Sequence, residues 1–95
     1  MQVIYLIRDY ERMQRELRFE NVRIQDGTKD LYITEMNRKV EAISACLEEI
    51  PEEYRDSIYN NIVHRIPYDT RYASYKTYTY HRSKFISNVA RALGM

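Results

Sequence analysis

Glycine and proline are nearly absent from this chain, with two of each among 95 residues. Their scarcity excludes collagen-like, low-complexity and linker-rich architectures and leaves few points at which a helix must break. Tryptophan is missing, and there is one cysteine, Cys46. A single thiol cannot close an intramolecular disulfide, so nothing calls for an oxidising compartment, and a cytoplasmic location is the expectation. No apolar run reaches the length of a membrane span. Met1 to Ile7 is apolar but short, Arg8 and Asp9 follow at once, and no small-residue cleavage signal is present. Neither a membrane partner nor a targeting segment is expected. With 44% apolar and 31% charged residues, the composition fits one folded helical domain near the lower size at which a single core suffices.

Acid is the most telling absence. Residues 70 to 95 contain five Lys or Arg and no Asp or Glu, in a chain whose formal net charge is only +1. Split at Tyr54, residues 1–53 carry eight basic residues against twelve acidic, a net of −4, while residues 54–95 carry seven against Asp56 and Asp69, a net of +5. Such asymmetry points to a polyanionic partner, because clustered Lys and Arg gain binding free energy by releasing the counterions condensed on phosphate backbones.

Hydrophobic spacing supplies the fold. Val3, Leu6, Tyr10, Met13 and Leu17 recur at intervals of 3, 4, 3 and 4 among polar residues, which predicts a helix with a narrow apolar seam. Asp26-Gly27 predicts a turn, with Thr28 and Asp30 as candidate N-caps. Ile33, Met36, Val40, Ile43, Leu47 and Ile50 then repeat the same spacing up to Pro51. The two heptad-patterned helices read as an antiparallel hairpin over residues 1–50, with Cys46 as a small packing residue near its seam. Pro51 opens a third helix whose first turn carries Glu52, Glu53 and Asp56 and whose stripe is Tyr54, Ile58, Ile62 and Val63; Pro67 is expected to end it. After a short connection, a fourth helix is expected from an N-cap at Ser74 to Leu93. It stops at Gly94 and packs through Tyr78, Phe85, Val89, Ala92 and Leu93. The expected class is all-α: a helical hairpin followed by a C-terminal helix-turn-helix-like pair over residues 51–95, the two forming one compact domain or two subdomains.

No enzymatic constellation is visible. With only Gly27 and Gly94 there is no glycine-rich phosphate loop. Cys46, His64 and His81 stand 18 and 17 residues apart, which matches no zinc signature, so neither a metal nor another cofactor is expected. Glu48, Glu49, Glu52 and Glu53 straddle a helix end and a helix start and read as solvated surface. What remains is the basic, tyrosine-rich end. Six of the ten tyrosines lie between Tyr59 and Tyr80, interleaved with Arg65, Arg71 and Lys76. Phosphates are contacted by Arg and Lys, by hydroxyls and by helix N-termini, and base edges are read from the first turns of an inserted helix. The candidate DNA contacts are Arg71, Ser74, Tyr75, Lys76, Thr77, Thr79, Tyr80, Arg82 and Ser83, headed by Lys76, Thr79, Arg82 and Ser83. Tyr78 is expected in the core and Lys84 and Arg91 at the periphery.

The stretch IPEEYRDSIYNNIVHRIPY, followed by YAS and YKTYTYHRSKFISNVARALG, resembles the C-terminal part of late-gene transcriptional regulators of phages and prophages of Gram-positive bacteria, the RinA- and ArpU-like group. Those proteins carry a helix-turn-helix related to region 4 of sigma factors. The likeness rests on Ile50-Pro51 with Tyr54-Arg55 opening a helix, on Ser74 and Thr77 leading the recognition helix, on Arg82, and on Val89 to Gly94. It covers about half the chain. The segment PYDTRYA stands where the family has the middle helix of the motif. The resemblance implies sequence-specific binding of duplex DNA, with RNA polymerase as a further candidate partner and a homo-oligomer, a dimer, assembled through the hairpin. Two alternatives remain open: an accessory subunit of DNA packaging, similar to small terminase proteins, and a coiled-coil interaction protein that does not bind DNA.

Overall fold

A computed structural model describes residues 2–23 and 31–95, and the side chains of residues 3–19 and 31–95. The expected Asp26-Gly27 turn and the Thr28 and Asp30 caps lie outside the described residues. Every regular element described is helical: α1 (Gln2–Arg8), α2 (Tyr10–Arg23), α3 (Leu31–Glu49), α4 (Glu52–Val63) and α5 (Tyr75–Ala92). The fold is thus all-α, a hairpin followed by a C-terminal helix pair.

The first arm of the hairpin is bent rather than continuous. At Asp9 the backbone N–H is shared between the carbonyls of Tyr5 and Leu6, both at 3.1 Å, and the ladder resumes with Met13 N–H donating to the Asp9 carbonyl at 3.0 Å. The bend serves two packing partners: α1 lies against α4 and α5, whereas α2 runs along α3. It also changes the seam. Ile7, not Leu6, is fully buried beside Val3, Tyr10, Met13 and Leu17. In α3 the buried face is Met36, Ile43 and Cys46, followed by Ile50, while Ile33, Val40 and Leu47 are half-buried at its edges. Burial in apolar surroundings, with Glu49 nearby, pushes the Cys46 thiol up from its ordinary pKa.

Pro51 stands at the N-cap of α4 with φ −51° and ψ 134°. Its carbonyl accepts from the N–H groups of Tyr54 and Arg55 at 2.9 and 3.1 Å, so the ring-locked residue, which has no N–H of its own, starts the helix. Arg55 then reaches back across the corner. Its Nε donates to the Leu47 carbonyl at 2.8 Å, and its Nη2 donates to the carbonyls of Glu48 and Ile50 at 3.1 and 3.0 Å. One guanidinium therefore satisfies three carbonyls at the end of α3, where cations are favoured. Arg8 does the same for α4, its Nε donating to the Ile62 carbonyl at 2.9 Å.

Helix α4 ends before Pro67. His64 N–H still bonds to the Asn60 carbonyl at 3.0 Å, but Arg65 takes φ +57°, and Ile66 N–H turns back to the Asn60 carbonyl at 3.2 Å. A left-handed residue thus stops the helix before the proline can. The last helix ends with the same device and the favoured residue. Gly94 at φ +71° sends its N–H to the Arg91 carbonyl, and Met95 N–H bonds to the Ala90 carbonyl at 2.8 Å, a Schellman closure. The two sites predict opposite outcomes. Arg65→Gly should raise stability by roughly 0.5–1 kcal/mol in urea denaturation, since a left-handed non-glycine residue is strained. Gly94→Ala should lower it by about 1 kcal/mol on φ alone, because an added Cβ would meet nothing within 4 Å.

Side chains from all five helices form one core, with Ile7, Ile43, Ile58, Ile62, Tyr78, Phe85 and Val89 its most completely buried members. Helix α5 sits centrally, contacting α1, α3 and α4. Of the side expected to pack, Tyr78, Phe85 and Val89 are buried and Leu93 half-buried, but Ala92 is exposed: it falls in the final turn of the helix. No helix among the described residues is long and apolar enough to cross a membrane.

Candidate nucleic-acid interface

Ser74 starts α5 from an extended conformation, with φ −70° and ψ 153°, and its Oγ accepts from Thr77 N–H at 3.3 Å. The two hydroxyls also bond to each other at 3.0 Å. Ser74 and Thr77 are thus engaged in capping, which fixes where the helix begins and how its first turn points. No acidic residue lies in that turn, so the positive end of the helix carries no carboxylate of its own.

Behind this turn lies an aromatic network. The rings of Tyr68 and Tyr78 stack at 4.6 Å and 6°, and Tyr54 meets Tyr78 edge-on at 5.8 Å. Tyr54 also contacts Tyr72 edge-on at 6.4 Å and stacks on His81 at 4.8 Å. Tyr78 OH donates to the Asp69 carbonyl at 2.9 Å, tying residues 64–74 onto α5. Much of the tyrosine density between Tyr54 and Tyr80 is therefore structural: it holds an eleven-residue connection that contains one turn at Thr70–Tyr72 and no helix. That connection is longer than the three or four residues of a standard helix-turn-helix turn.

The candidate contacts fall into two adjacent rows on α5, repeating at 3 and 4 residues. The outermost row is Lys76, Tyr80 and Ser83, all exposed. Tyr80 is 60% exposed, with Lys84 Nζ 5.9 Å from its ring centre and His81 edge-on at 5.2 Å. The flanking row is Tyr75, Thr79 and Arg82. Tyr75 is 65% exposed and meets Tyr68 at 5.8 Å, Thr79 is exposed and Arg82 half-buried. Among the described residues Lys76 and Arg82 form no ion pair, which leaves both charges available. Arg71, by contrast, is engaged: its Nε and backbone N–H both donate to Asp69 Oδ1 at 3.1 Å, and this holds the Asp69 carboxyl below its usual pKa.

The flanking row forms one wall of a groove of about 600 Å³. Asn61 of α4 and the loop residues Pro67, Tyr68 and Thr70 complete it, and no acidic residue lines it. None of these four belongs to the contacts expected from the sequence. They come from the preceding helix and loop, and the run of tyrosines was the only sequence signal near them. Tyr68 is half-buried, and its hydroxyl has no hydrogen-bond partner among the described residues. Burial raises its pKa, partly offset by the charge of Arg82.

The histidines sit elsewhere. His64 Nε2 lies 3.0 Å from Glu11 Oε1, which also accepts from Tyr59 OH at 2.9 Å, and the Tyr59 bond, followed by the charge of His64, lowers the Glu11 pKa. His81 lines a depression of about 100 Å³ together with Cys46, Glu49 and Lys84. Among the described residues no group of three His, Cys, Asp or Glu side chains could hold a metal ion. No family model, curated protein or solved structure matches the chain.

Proposed function

We propose that this protein binds duplex DNA through α5 and acts as a transcriptional regulator of phage or prophage type. The observation that carries the reading is the outer face of α5. Two cations without a carboxylate partner among the described residues, Lys76 and Arg82, stand with the hydroxyls of Thr79 and Ser83 on a helix whose opening turn is fixed by a Ser74 cap and free of acid. Phosphates would be met by Lys76, Arg82 and the helix N-terminus, and base edges by Thr79, Tyr80 and Ser83 from the first turns. Arg71, engaged with Asp69, is a peripheral contact. The protein is a binding module rather than an enzyme, and it needs no cofactor.

In this reading the hairpin serves a protein partner, either a second copy of the chain, as in dimeric helix-turn-helix proteins, or RNA polymerase. Phe19 and Leu31 are exposed apolar side chains on it, at 73% and 81% exposure. A coiled coil between chains is the weaker alternative, since the seam of Val3, Tyr10, Met13 and Leu17 is already buried within the chain. The test is fluorescence anisotropy with mixed-sequence and native prophage duplexes across a salt series, beside a light-scattering mass. Affinity should fall with a slope of about −2 to −4 in log K against log salt, the value for two to four phosphates neutralised. No binding at about 50 mM salt, where non-specific association is strong, would sink the DNA reading.

A further inference from the structure

The groove beside α5 has a composition that a duplex backbone does not call for. A phosphate needs charge and donors on a surface, whereas this groove is about 600 Å³, inside the range of roughly 300–1,000 Å³ typical of small-molecule sites. It joins flat aromatic and apolar side chains, Tyr68, Tyr75 and Pro67, to hydrogen-bonding groups and a single cation, Arg82. We infer that it seats one unpaired nucleotide, so that the protein prefers duplex DNA bearing a single-stranded end or gap. This inference rests on the nucleic-acid reading of α5.

Each part of a nucleotide finds its chemistry there. Tyr75 offers a largely exposed ring, set edge-on to Tyr68 at 61°, on which a base stacks regardless of its identity. Tyr68 cannot turn away, because its ring lies flat against Tyr78 in the core. Asn61 donates through Nδ2 to the Ile66 carbonyl at 3.0 Å, which fixes the amide and leaves Oδ1 to accept from a base N–H. Arg82, with no carboxylate partner among the described residues, supplies the charge for the phosphate, and the Thr79 hydroxyl adds a donor in the neighbouring helical turn. The absence of acid from the lining removes the usual repulsion of a phosphodiester. A base already unpaired enters without the unstacking cost that a paired one must meet.

The test compares anisotropy of the full chain with a blunt duplex, the same duplex carrying a deoxyuridine overhang, the same with a uridine overhang, and a short thymidine oligonucleotide. The overhang should tighten binding by roughly 5- to 150-fold, the range of stacking one base on an aromatic side chain. Tyr75→Ala should remove that gain, read as the ratio of overhang to blunt affinity, Tyr75→Phe should retain it, and Asn61→Ala should reduce it. Tyr75 is exposed, so circular dichroism of both Tyr75 variants should match the parent. An equal gain from the uridine overhang supports an unpaired nucleotide of either sugar, and a gain confined to one sugar assigns the source. No gain from any overhang, or equal weakening of blunt and overhanging duplexes by Tyr75→Ala, overturns the inference while the duplex reading stands. Binding of the oligonucleotide without any duplex affinity overturns the duplex reading and keeps the nucleotide seat, and no binding at all removes both.

Discussion

Phe85→Ala is expected to cost about 3–5 kcal/mol of folding free energy, the range for removing a fully buried aromatic side chain. Phe85 is 1% exposed and lies midway along α5, the helix that touches α1, α3 and α4. On one side it adjoins Cys46 and Ile50 at the depression between α3 and α5, and along its own helix it continues the buried row of Tyr78 and Val89. Truncation therefore opens a void where the hairpin meets the C-terminal pair. A domain of this size has about 5–15 kcal/mol in total, so the variant should unfold at a much lower urea concentration with an unchanged slope. Phe85→Leu should recover most of the loss. If the hairpin and the pair were independent units, Phe85→Ala would melt one and spare the other, giving two transitions where a single core gives one.

Features set by local chemistry were legible in the amino-acid order. Ser74 caps its helix, Gly94 closes it and Pro51 marks the corner between α3 and α4, because each depends on a few neighbouring residues. Seams were legible to within one side chain. Leu6 and Ile7 are both apolar, and only the packing of α1 on α4 and α5 decides that Ile7 is the buried one. What the order could not reveal came from contacts across the fold. Arg55 looks like one more cation of a basic half, yet it is committed to three carbonyls at the end of α3. Arg65 carries no signal of a left-handed conformation, since any residue can be driven there by a helix that must turn. The tyrosine run does not say which rings are exposed: Tyr75 and Tyr80 are outside, while Tyr54, Tyr68 and Tyr78 hold the loop in place. The groove was invisible because Asn61 and Arg82 are brought together only when α4 and α5 pack.

The double substitution Lys76→Ala/Arg82→Ala should weaken duplex binding by roughly 10- to 100-fold at low salt and make the salt slope shallower by about 2, one unit for each phosphate contact removed. Of the seven basic residues after Tyr54, Arg55 is held by backbone carbonyls and Arg71 by Asp69. Arg65 lies in the turn after α4; Lys84 stands over the Tyr80 ring and Arg91 lies in the last turn of α5, neither lining the groove. Lys76 and Arg82 are left as the available cations that share a face with Thr79 and Ser83. Lys76 is exposed and Arg82 half-buried outside the core, so the variant should fold and lose no more than about 1 kcal/mol, from the Arg82 stem. A matched pair, Lys84→Ala/Arg91→Ala, removes the same charge from the edge of that face and from the end of the helix. It should lose only the long-range part of the attraction, a few-fold that vanishes once salt shortens the Debye length to about 8 Å. Should the matched pair lose more than the first, the bound face of α5 is centred beyond Tyr80, on the Lys84 side, and not on the Thr79 and Arg82 row. Should both lose equally, the tail acts through its net charge alone and no residue on α5 reads a groove.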